Sequence, residues 1–442
     1  MAAESCHSRS LSWLARSCIP ADPARHIAVP VPVPIPVAAA TNLSSSTQQP
    51  SSDSDESPIS ALPDDLLLEC LARVPRASLP PLPAVCRRFA SLLASDAFLH
   101  LRRARGLLRP TLLAVSVPSS QGSSSSTFAR ALLQLDASGQ PPELEVAALP
   151  LPPTLLLLHC RAGGGGGGSA FAHARAVAVG REVFLIGRGA TLRVDALTGA
   201  ARACAPTLYP RKKFAAAVVG GRIYVAGGSA RTAAVEEYDP AGDDAWRVVA
   251  EAPRRRYGCA GAATAGGVFY VAGGVAVSAP VGDGGALLEA RACAGSVDAL
   301  HVGAMAWARP RAVPGGGCVV GACGAGEHLY VVASHAVELS FWRWSGNGVS
   351  RGGGWVALEA PPVPRGSVGL GMAVRVAMAG VGGDRVVAVV NVSAVRGHIA
   401  AAGAVAVEGL VLVYDIAGGN WSRAPADLPP GFRRASCAVV EC

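Results

Sequence analysis

The sequence predicts two folded modules: a small all-α domain over residues 59–105 and a larger all-β domain over residues 106–442. Three observations lead to this prediction. The 442 residues are too many for one ordinary hydrophobic core. The 52 glycines and 33 prolines favour short strands and turns over long helices. Segments beyond residue 106 repeat one another, which is typical of a fold built from stacked units.

The composition argues against a membrane protein, although the mean hydropathy is +0.35. The apolar excess is mostly alanine, and no eighteen-residue apolar stretch lacks a charge, a proline or a glycine-rich break. No apolar segment follows Arg9 and Arg16, so we expect no secretory signal, while an organellar transit peptide stays open. We therefore expect a protein of the cytoplasm, the nucleus or both, with its 12 cysteines reduced.

Residues 1–58 show no hydrophobic periodicity. The Val-Pro alternation from Val29 to Val37 favours an extended, polyproline-like backbone, and a Ser/Gln tract and an acidic cluster follow it. Such a segment buries too little apolar surface to offset the entropy of ordering it. We expect it to be disordered.

The helical module begins with signals for a helix start. Pro63 suits the first helical position, Asp64 and Asp65 suit the positive end of the helix dipole, and Pro75 ends the helix. Asp96 is a candidate cap for a later helix. The module carries two apolar stripes at helical spacing, which are Leu66, Leu67, Cys70, Leu71 and Val74, then Val85, Phe89, Leu92 and Leu93. A module of this size cannot bury both stripes by itself, so they pack on the rest of the chain or on another protein.

Residues Leu62–Pro75 and Val85–Leu93 resemble an F-box. The family's pattern is an opening Leu-Pro, an acid, a leucine-rich first helix, and a Val-Cys-basic-basic-aromatic turn, and all these features occur here in order. The resemblance implies binding to the Skp adaptor of a cullin ligase. The residues that it assigns to this contact are Leu62, Pro63, Leu66, Leu67, Leu71, Val85, Cys86 and Phe89.

The chain departs from the F-box pattern in two places. Phe89 stands where the family usually has tryptophan. Pro80, Pro81 and Pro83 occupy the start of the usual middle helix, and Pro83 in particular is expected to shorten it.

The all-β module contains visible repeats. Residues 215–228 and 260–274 share a small-residue strand, a Gly-Gly turn and an aromatic-bearing strand closed by Gly-Gly. Fainter copies begin near residues 176, 326 and 383, and signatures such as Tyr238 followed by Trp246 lie between copies. Each unit is a four-stranded sheet that cannot cover its own faces, so the units must stack in a ring, with the glycine pairs letting inner strands crowd near its axis.

This pattern resembles the kelch propeller. The five units with a core signal and the segments Leu112–Val117, Ala131–Asp136 and Leu144–Ala148 predict six blades. The final strand, Ser436–Val440, would join the first blade and close the ring. The piece from Ala276 to Gly295 reads as an insertion in the fourth blade.

The sequence offers little for catalysis. It contains no nucleophile elbow, zinc-protease motif or phosphate-cradling loop, and its histidines are isolated. Cys318 and Cys323 lack the spacing of a zinc or redox site. We expect no catalytic residue, metal or cofactor, and a copper-dependent propeller oxidoreductase is a remote alternative.

A basic position recurs before the first strand of successive repeats. These residues are Arg175, Arg211, Lys213, Arg254, Arg256, Arg309, Arg311, Arg365 and Arg434. Because they are in register with the repeat, we expect them on one rim, which the kelch resemblance makes the ligand-binding face. Arginine pairs carboxylates through its planar fork, so an acidic protein partner fits better than nucleic acid, which would require interleaved aromatics. The alternative is that these charges merely solvate loops.

Together the two resemblances imply the substrate-recognition subunit of a Skp–cullin–F-box (SCF) ubiquitin ligase, with the propeller binding the protein to be degraded. The plant F-box/kelch class adds a phenylpropanoid or flavonoid enzyme as a candidate target. The rival reading is a kelch scaffold whose degenerate F-box no longer binds the adaptor.

Overall fold

A computed structural model describes residues 59, 61–117, 128–135, 144–155, 170–276, 293–335, 337–346, 353–369, 371–395, 405–432 and 435–442. The segment expected to be disordered, residues 1–58, lies outside the described residues. So does most of the expected insertion between Ala276 and Gly295.

Three α-helices form the N-terminal module: α1 (Asp64–Ala72), α2 (Arg87–Ala94) and α3 (Asp96–Ala104). Asp64 and Asp65 lie in the first turn of α1, as the helix-start signals predicted. The cap of α3 is Ser95 instead of Asp96, because the Ser95 hydroxyl accepts the Phe98 N–H at 3.2 Å.

The proline-rich stretch between α1 and α2 does not form a middle α-helix. It forms two 3₁₀ turns, Arg76–Ser78 and Leu82–Ala84. Proline lacks the N–H that a longer helix needs, which explains the shortening expected from Pro83. Arg102 of α3 holds the backbone just before these turns, because its Nη1 donates to the Val74 carbonyl at 2.9 Å.

The remaining chain forms six antiparallel sheets arranged as the blades of a propeller. The strands of blades 1–3 are β1 (Pro110–Ser116), β2 (Phe128–Gln134), β3 (Leu144–Leu149), β4 (Arg175–Val179), β5 (Glu182–Ile186), β6 (Thr191–Asp195), β7 (Ala201–Cys204), β8 (Ala215–Val219), β9 (Arg222–Ala226), β10 (Ala234–Tyr238) and β11 (Trp246–Glu251). Blade 1 also takes in the last strand of the chain, blade 2 is β4–β7, and blade 3 is β8–β11.

Blades 4–6 follow in chain order. Their strands, with one short accessory pair, are β12 (Arg256–Tyr257), β13 (Ala260–Thr264), β14 (Val268–Ala272), β15 (Val275–Ala276), β16 (Ser296–His301), β17 (Ala306–Trp307), β18 (Arg311–Ala312), β19 (Cys318–Ala325), β20 (His328–Ser334), β21 (Leu339–Ser345), β22 (Gly354–Leu358), β23 (Met372–Val381), β24 (Arg385–Ala394), β25 (Val407–Asp415), β26 (Asn420–Arg423) and β27 (Ser436–Glu441). Blade 4 is β13, β14 and β16–β18, blade 5 is β19–β22, and blade 6 is β23–β26.

The ring closes through the last strand. β27 pairs antiparallel with β1, with Leu112 opposite Val439, and so becomes the innermost strand of blade 1. The inner strands β27, β4, β8, β13, β19 and β23 are neighbours in that order, and β23 returns to β27. The predicted six blades and their closure by the final strand are confirmed.

Single glycines within inner strands permit the close packing at the axis. A Cβ on Gly261 would lie 2.4 Å from the Ala216 backbone oxygen, and one on Gly380 would meet the Gly324 carbonyl. The Gly-Gly pairs also serve this purpose, since a Cβ on Gly273 would lie 2.7 Å from Val319 Cβ of inner strand β19. The pairs supply positive φ as well, as at Gly227 (75°) and Gly228 (71°).

Tryptophans of the outer strands join neighbouring blades. The centre of the Trp246 ring lies 5.1 Å from the centre of the Tyr238 ring. The indole N–H of Trp246 donates to the carbonyl of Ala205, the residue that follows β7 of blade 2, at 2.9 Å. The Trp307 indole N–H likewise donates to the Glu251 backbone carbonyl at 2.7 Å. These tryptophans therefore fill the space between adjacent blades and add a hydrogen bond there.

The helical module packs on the propeller. Leu67, Leu71 and Phe98 share one hydrophobic core with Leu113 of β1 and Val183 of β5. The Arg181 guanidinium, in the turn between β4 and β5, donates to the Leu93 carbonyl at 2.7 Å. Arg76 pairs with Glu145 of β3 at 3.1 Å. One side of the module is therefore covered by this chain.

Candidate functional site

The eight residues expected to bind an adaptor divide between the two sides of the helical module. Leu67 and Leu71 are only 3% and 4% exposed and belong to the core shared with the propeller, so they do not contact a partner directly. Leu62 and Phe89 are half-buried. The exposed members are Pro63, Leu66, Val85 and Cys86.

A polar clamp holds the exposed members together. Arg88 of α2 forms an ion pair with Asp64 at 2.6 Å and also donates to the Leu62 carbonyl. This clamp fixes the start of α1, with Pro63 and Leu66, beside the start of α2. There the Cys86 sulfur accepts the Phe89 N–H at 3.4 Å, and Val85 is 64% exposed.

We call Pro63, Leu66, Val85 and Cys86 the helical patch. Leu66 is 50% exposed, and Ile59, which the motif does not include, is equally exposed. An apolar surface on a module whose other side is already packed is typical of a protein-binding site. The exposed patch lies within the residues that the resemblance assigns to the adaptor, and its binding to an adaptor stays a prediction. Sequence alone could not separate the buried leucines from it.

The helical module and the recurring basic position lie at opposite ends of the propeller. Arg181 contacts α2 from the turn that follows inner strand β4, and Glu441, the last residue of β27, pairs with Arg103 of α3 at 3.3 Å. The loops that link one blade to the next instead precede the inner strands. Strands of five residues separate the two faces by roughly 15 Å.

Arg211 was expected on the exposed rim, but the structure buries it to 1% exposure. Its Nε donates to Glu236 of β10 at 2.8 Å, and its two other nitrogens reach the carbonyls of Gly227 and Ala234, both at 2.7 Å. All of its side-chain donors face blade 3. Arg211 therefore belongs to a structural ion pair, and the prediction that it lies on the exposed rim is wrong.

Arg256 requires the same correction, since it is 0% exposed. It pairs with Asp298 of β16 at 2.7 Å and donates to the Gly273 carbonyl at 2.9 Å. Arg211 and Arg256 therefore do the same structural work in consecutive blades. Removing one partner of such a buried pair leaves an uncompensated charge.

Three further members of the expected rim also serve the fold. Arg175 donates to the carbonyls of Phe214 and Cys259 at 2.7 and 2.8 Å, which ties blade 2 to blades 3 and 4, and burial lowers its pKa. The Arg311 guanidinium lies 4.4 Å from the centre of the Trp344 ring, and Lys213 Nζ lies 5.7 Å from the centre of the Tyr257 ring.

The remaining members have different surroundings. Arg254 is half-buried, with its Nη1 3.9 Å from the Cys293 sulfur, whereas Arg309 and Arg365 are exposed. Arg434 lies outside the described residues.

The structure places further exposed cations beside these members, and sequence reasoning missed two of them, Arg188 and Arg231. Arg188 and Arg231 lie in the loops between the second and third strands of blades 2 and 3, and Arg255 precedes blade 4. Arg255 Nη1 donates to Ala230 at 3.3 Å, which joins two of these loops. The available signal was the position of Arg188 and Arg231 just after a closing glycine of the repeat.

We call the loops 187–190, 205–214, 227–233 and 252–259 the basic sector. They contain no aspartate or glutamate, and the exposed Glu251 borders them at the end of β11. Leu208 (54% exposed) and Tyr209 (39% exposed) project from the same loops. A surface of cations around an aliphatic and an aromatic side chain suits an acidic protein segment with apolar anchors.

The described residues show no group of three or more metal-ligating side chains. Within the same part of the chain, no helix is long and apolar enough to span a membrane.

The chain is similar to two protein families and to several known proteins. A family model of the F-box domain matches residues 59–101, and one of the kelch motif matches residues 210–253. An F-box/kelch-repeat protein of Arabidopsis thaliana is 43% identical over 449 residues, which cover 99% of each chain. A second F-box/kelch-repeat protein of that plant is 36% identical over 63 residues, 14% of this chain and 17% of its own. Among solved structures, that of YjhT has a TM-score of 0.42 at 15% identity, covering 59% of this chain and 84% of that chain.

An F-box followed by kelch repeats defines a class of protein that serves SCF-type ubiquitin ligases as substrate receptors, generally without catalytic activity of its own. The match to the Arabidopsis relative over the full length assigns the chain to one family within this class. It belongs to the F-box/kelch-repeat family.

Proposed function

We propose that this chain is the non-catalytic receptor subunit of an SCF ubiquitin ligase of the cytoplasm, the nucleus or both. The helical patch binds a Skp-type adaptor, and through it the cullin. The observation that carries the proposal is the division within α1, where Leu67 is buried against the propeller and the adjacent Leu66 is half exposed. The module is thus folded onto its own chain and still presents apolar surface to a partner.

The target binds at the opposite end of the propeller, over the basic sector. Exposed Arg231 and Arg255 in loops without acids favour a target with an acidic contact surface. Leu208 and Tyr209 supply the apolar contacts that charge pairs at a wet surface do not. An enzyme of phenylpropanoid or flavonoid synthesis is a candidate target on the strength of the family resemblance.

The core shared by the two modules sets the distance between adaptor and target. Leu93 is hydrogen-bonded to Arg181, and Arg76 is hydrogen-bonded to Glu145. These contacts fix the position of the helices on blades 1 and 2. A bound target is then held at a defined position relative to the recruited transfer machinery. The receptor contributes proximity and orientation, and the recruited enzymes supply the chemistry.

Co-precipitation of the full chain from plant extract, followed by mass spectrometry, tests the proposal. The wild type should recover Skp and cullin, and a Leu62→Ala/Pro63→Ala variant should not. A Val146→Ala variant, altered at an exposed valine of the propeller, is the matched control. Equal recovery of adaptor by all three chains, or by none, contradicts the proposal.

A kelch scaffold without a ligase role is the second candidate, favoured by the two 3₁₀ turns where a middle helix is usual. Pro80, Pro81 and Pro83 alter the backbone close to Val85. A scaffold would recover the same propeller partners with and without the Leu62/Pro63 substitutions and no adaptor with either. A receptor retains its propeller partners in the variant and loses only the ligase subunits.

A further inference from the structure

Leu208 and Tyr209 are exposed side chains on a loop whose backbone is held by buried groups. The Leu208 N–H donates to the Glu236 carboxylate of β10 at 2.6 Å, and Glu236 is 0% exposed. The Thr207 hydroxyl, also buried, donates to the Tyr209 carbonyl at 2.9 Å. The backbone of this loop is therefore fixed while its two large apolar side chains face solvent.

The same loop is fixed at both of its ends. At its start, the Ala205 N–H donates to Asp244 at 3.0 Å, and the Ala205 carbonyl accepts the Trp246 indole N–H. At its end, Arg211 pairs with the Glu236 carboxylate that also holds the middle of the loop. A loop that is already ordered loses little conformational entropy when a partner binds to it.

Blade 4 repeats the buried ion pair without a bond to the loop. Asp298 pairs with Arg256 there, but its Oδ1 is buried and has no hydrogen-bond partner among the described residues. Pro253, three positions before Arg256, has no N–H to donate. The equivalent position in blade 3 is Leu208, which does donate to its acid, Glu236. The ion pair can thus join the strands of a blade without the bond to the loop, so this bond adds a separate function in blade 3.

Resting on the function proposed above, we propose that Glu236 is a positioning residue for target recognition, and that the target segment carries an aromatic side chain among its acids. The Glu236 carboxylate holds Leu208 and Tyr209 as preformed apolar anchors within the basic sector. The exposed cations Arg231 and Arg255 take the acidic side chains of the target. An aromatic side chain suits the anchors because it stacks on a tyrosine ring and packs against leucine methyl groups.

Fluorescence anisotropy of the full chain with two labelled polymers tests the anchors. Poly-L-glutamate offers charge alone, whereas a random copolymer of glutamate and tyrosine adds aromatic side chains. The wild type should bind the copolymer at least tenfold more tightly, and Leu208→Ala/Tyr209→Ala should abolish this preference. Equal binding of the two polymers by the wild type, or binding of neither, overturns the inference.

Glu236→Asp tests the positioning role, because it retains a carboxylate for Arg211 and should release Leu208. It should weaken binding of the copolymer at least fivefold and of poly-L-glutamate less than twofold. In the Leu208→Ala/Tyr209→Ala background it should change neither by more than twofold, since a positioning residue acts only through the anchors. Equal losses for both polymers, or a further loss in that background, would show a general structural role and overturn the inference.

A second pair of variants leaves the buried ion pair untouched. Leu208→Ala and Leu208→Pro both remove the leucine side chain, but only proline also removes the N–H that Glu236 accepts. Leu208→Pro should bind the copolymer at least threefold more weakly than Leu208→Ala, and equal affinities overturn the inference. All variants should bind a Skp-type adaptor within twofold of the wild type. A wild type that binds the copolymer but no adaptor refutes the receptor function and leaves the anchors intact.

Discussion

Helix α1 and the loop before blade 4 have nothing in common in sequence, yet each places two identical neighbours on opposite sides of a boundary. In α1, Leu66 faces solvent and Leu67 faces the core. In the loop, Arg255 is exposed and Arg256 is fully buried against Asp298. A motif therefore identifies a surface, whereas only the three-dimensional partners show which of its residues are free to bind.

The largest effect should come from the arginine pair. Arg256→Ala leaves the Asp298 carboxylate without its partner in the interior of blade 4. The substitution should lower the free energy of unfolding by about 3–5 kcal/mol. Arg255→Ala removes an exposed side chain and should change it by no more than about 0.5 kcal/mol. Urea denaturation of both variants measures the difference. Equal stabilities would refute the structural role assigned to Arg256.

The leucine pair should separate stability from binding. Leu67→Ala opens a cavity in the core shared with β1 and β5 and should cost about 2–5 kcal/mol of unfolding free energy. Leu66→Ala should leave stability within about 0.5 kcal/mol of the wild type. Thermal and urea denaturation of the two variants provide the check. A larger loss from Leu66→Ala than from Leu67→Ala would reverse the assignment of the two sides.

A smaller effect is expected at the junction of the two modules. Arg181→Ala removes the hydrogen bond to Leu93 and the 2.8 Å ion pair with Asp195, at a cost of about 1–2 kcal/mol. Arg222→Ala, on the same face of blade 3, removes ion pairs of a half-exposed side chain and should cost less than about 1 kcal/mol. Hydrogen exchange should rise in α2 for Arg181→Ala only. Unchanged exchange there would show that Arg181 does not hold the helices.

The smallest perturbation is chemical labelling of the native protein. Cys70 and Cys86 on the helical module are exposed, whereas Cys323 and Cys437 lie in the propeller, where burial raises the pKa of Cys437 to about 12. Iodoacetamide at pH 8 should modify Cys70 and Cys86 at least tenfold faster than the propeller pair. Bound adaptor should protect Cys86. Fast labelling of Cys437 in the folded protein would contradict its placement.

Much of the architecture was predictable because it depends on local patterns. The Pro63, Asp64 and Asp65 signals specified the start of α1, and recurring Gly-Gly turns specified the blades. Closure by β27 followed because a ring leaves no other place for a final unpaired strand. Register alone could not predict which basic residues of the expected rim are buried. The acidic partners of Arg211 and Arg256 lie on other strands, 25 and 42 positions further along the sequence.

One signal for the buried arginines was nevertheless present. In the sheet register, Glu236 of β10 and Asp298 of β16 each lie opposite the fourth residue of the strand with which they pair. The residue at the same register position in blade 2 is Leu192 of β6. There a buried Phe171 shares the core with Leu192, so an apolar contact replaces the ion pair. Arginine and acid thus occur together or not at all in these repeats, which marks the arginine as structural.

Titration of the purified full chain with a Skp-type adaptor tests the central claim most directly. The account predicts saturable binding that Leu66→Ala/Val85→Ala weakens at least tenfold, since both side chains are half exposed or more on the helical patch. A Val248→Ala/Val356→Ala variant, altered at exposed valines of the propeller, should bind within twofold of the wild type. Undetectable binding of the wild type, or equal affinity of all three chains, would contradict the account.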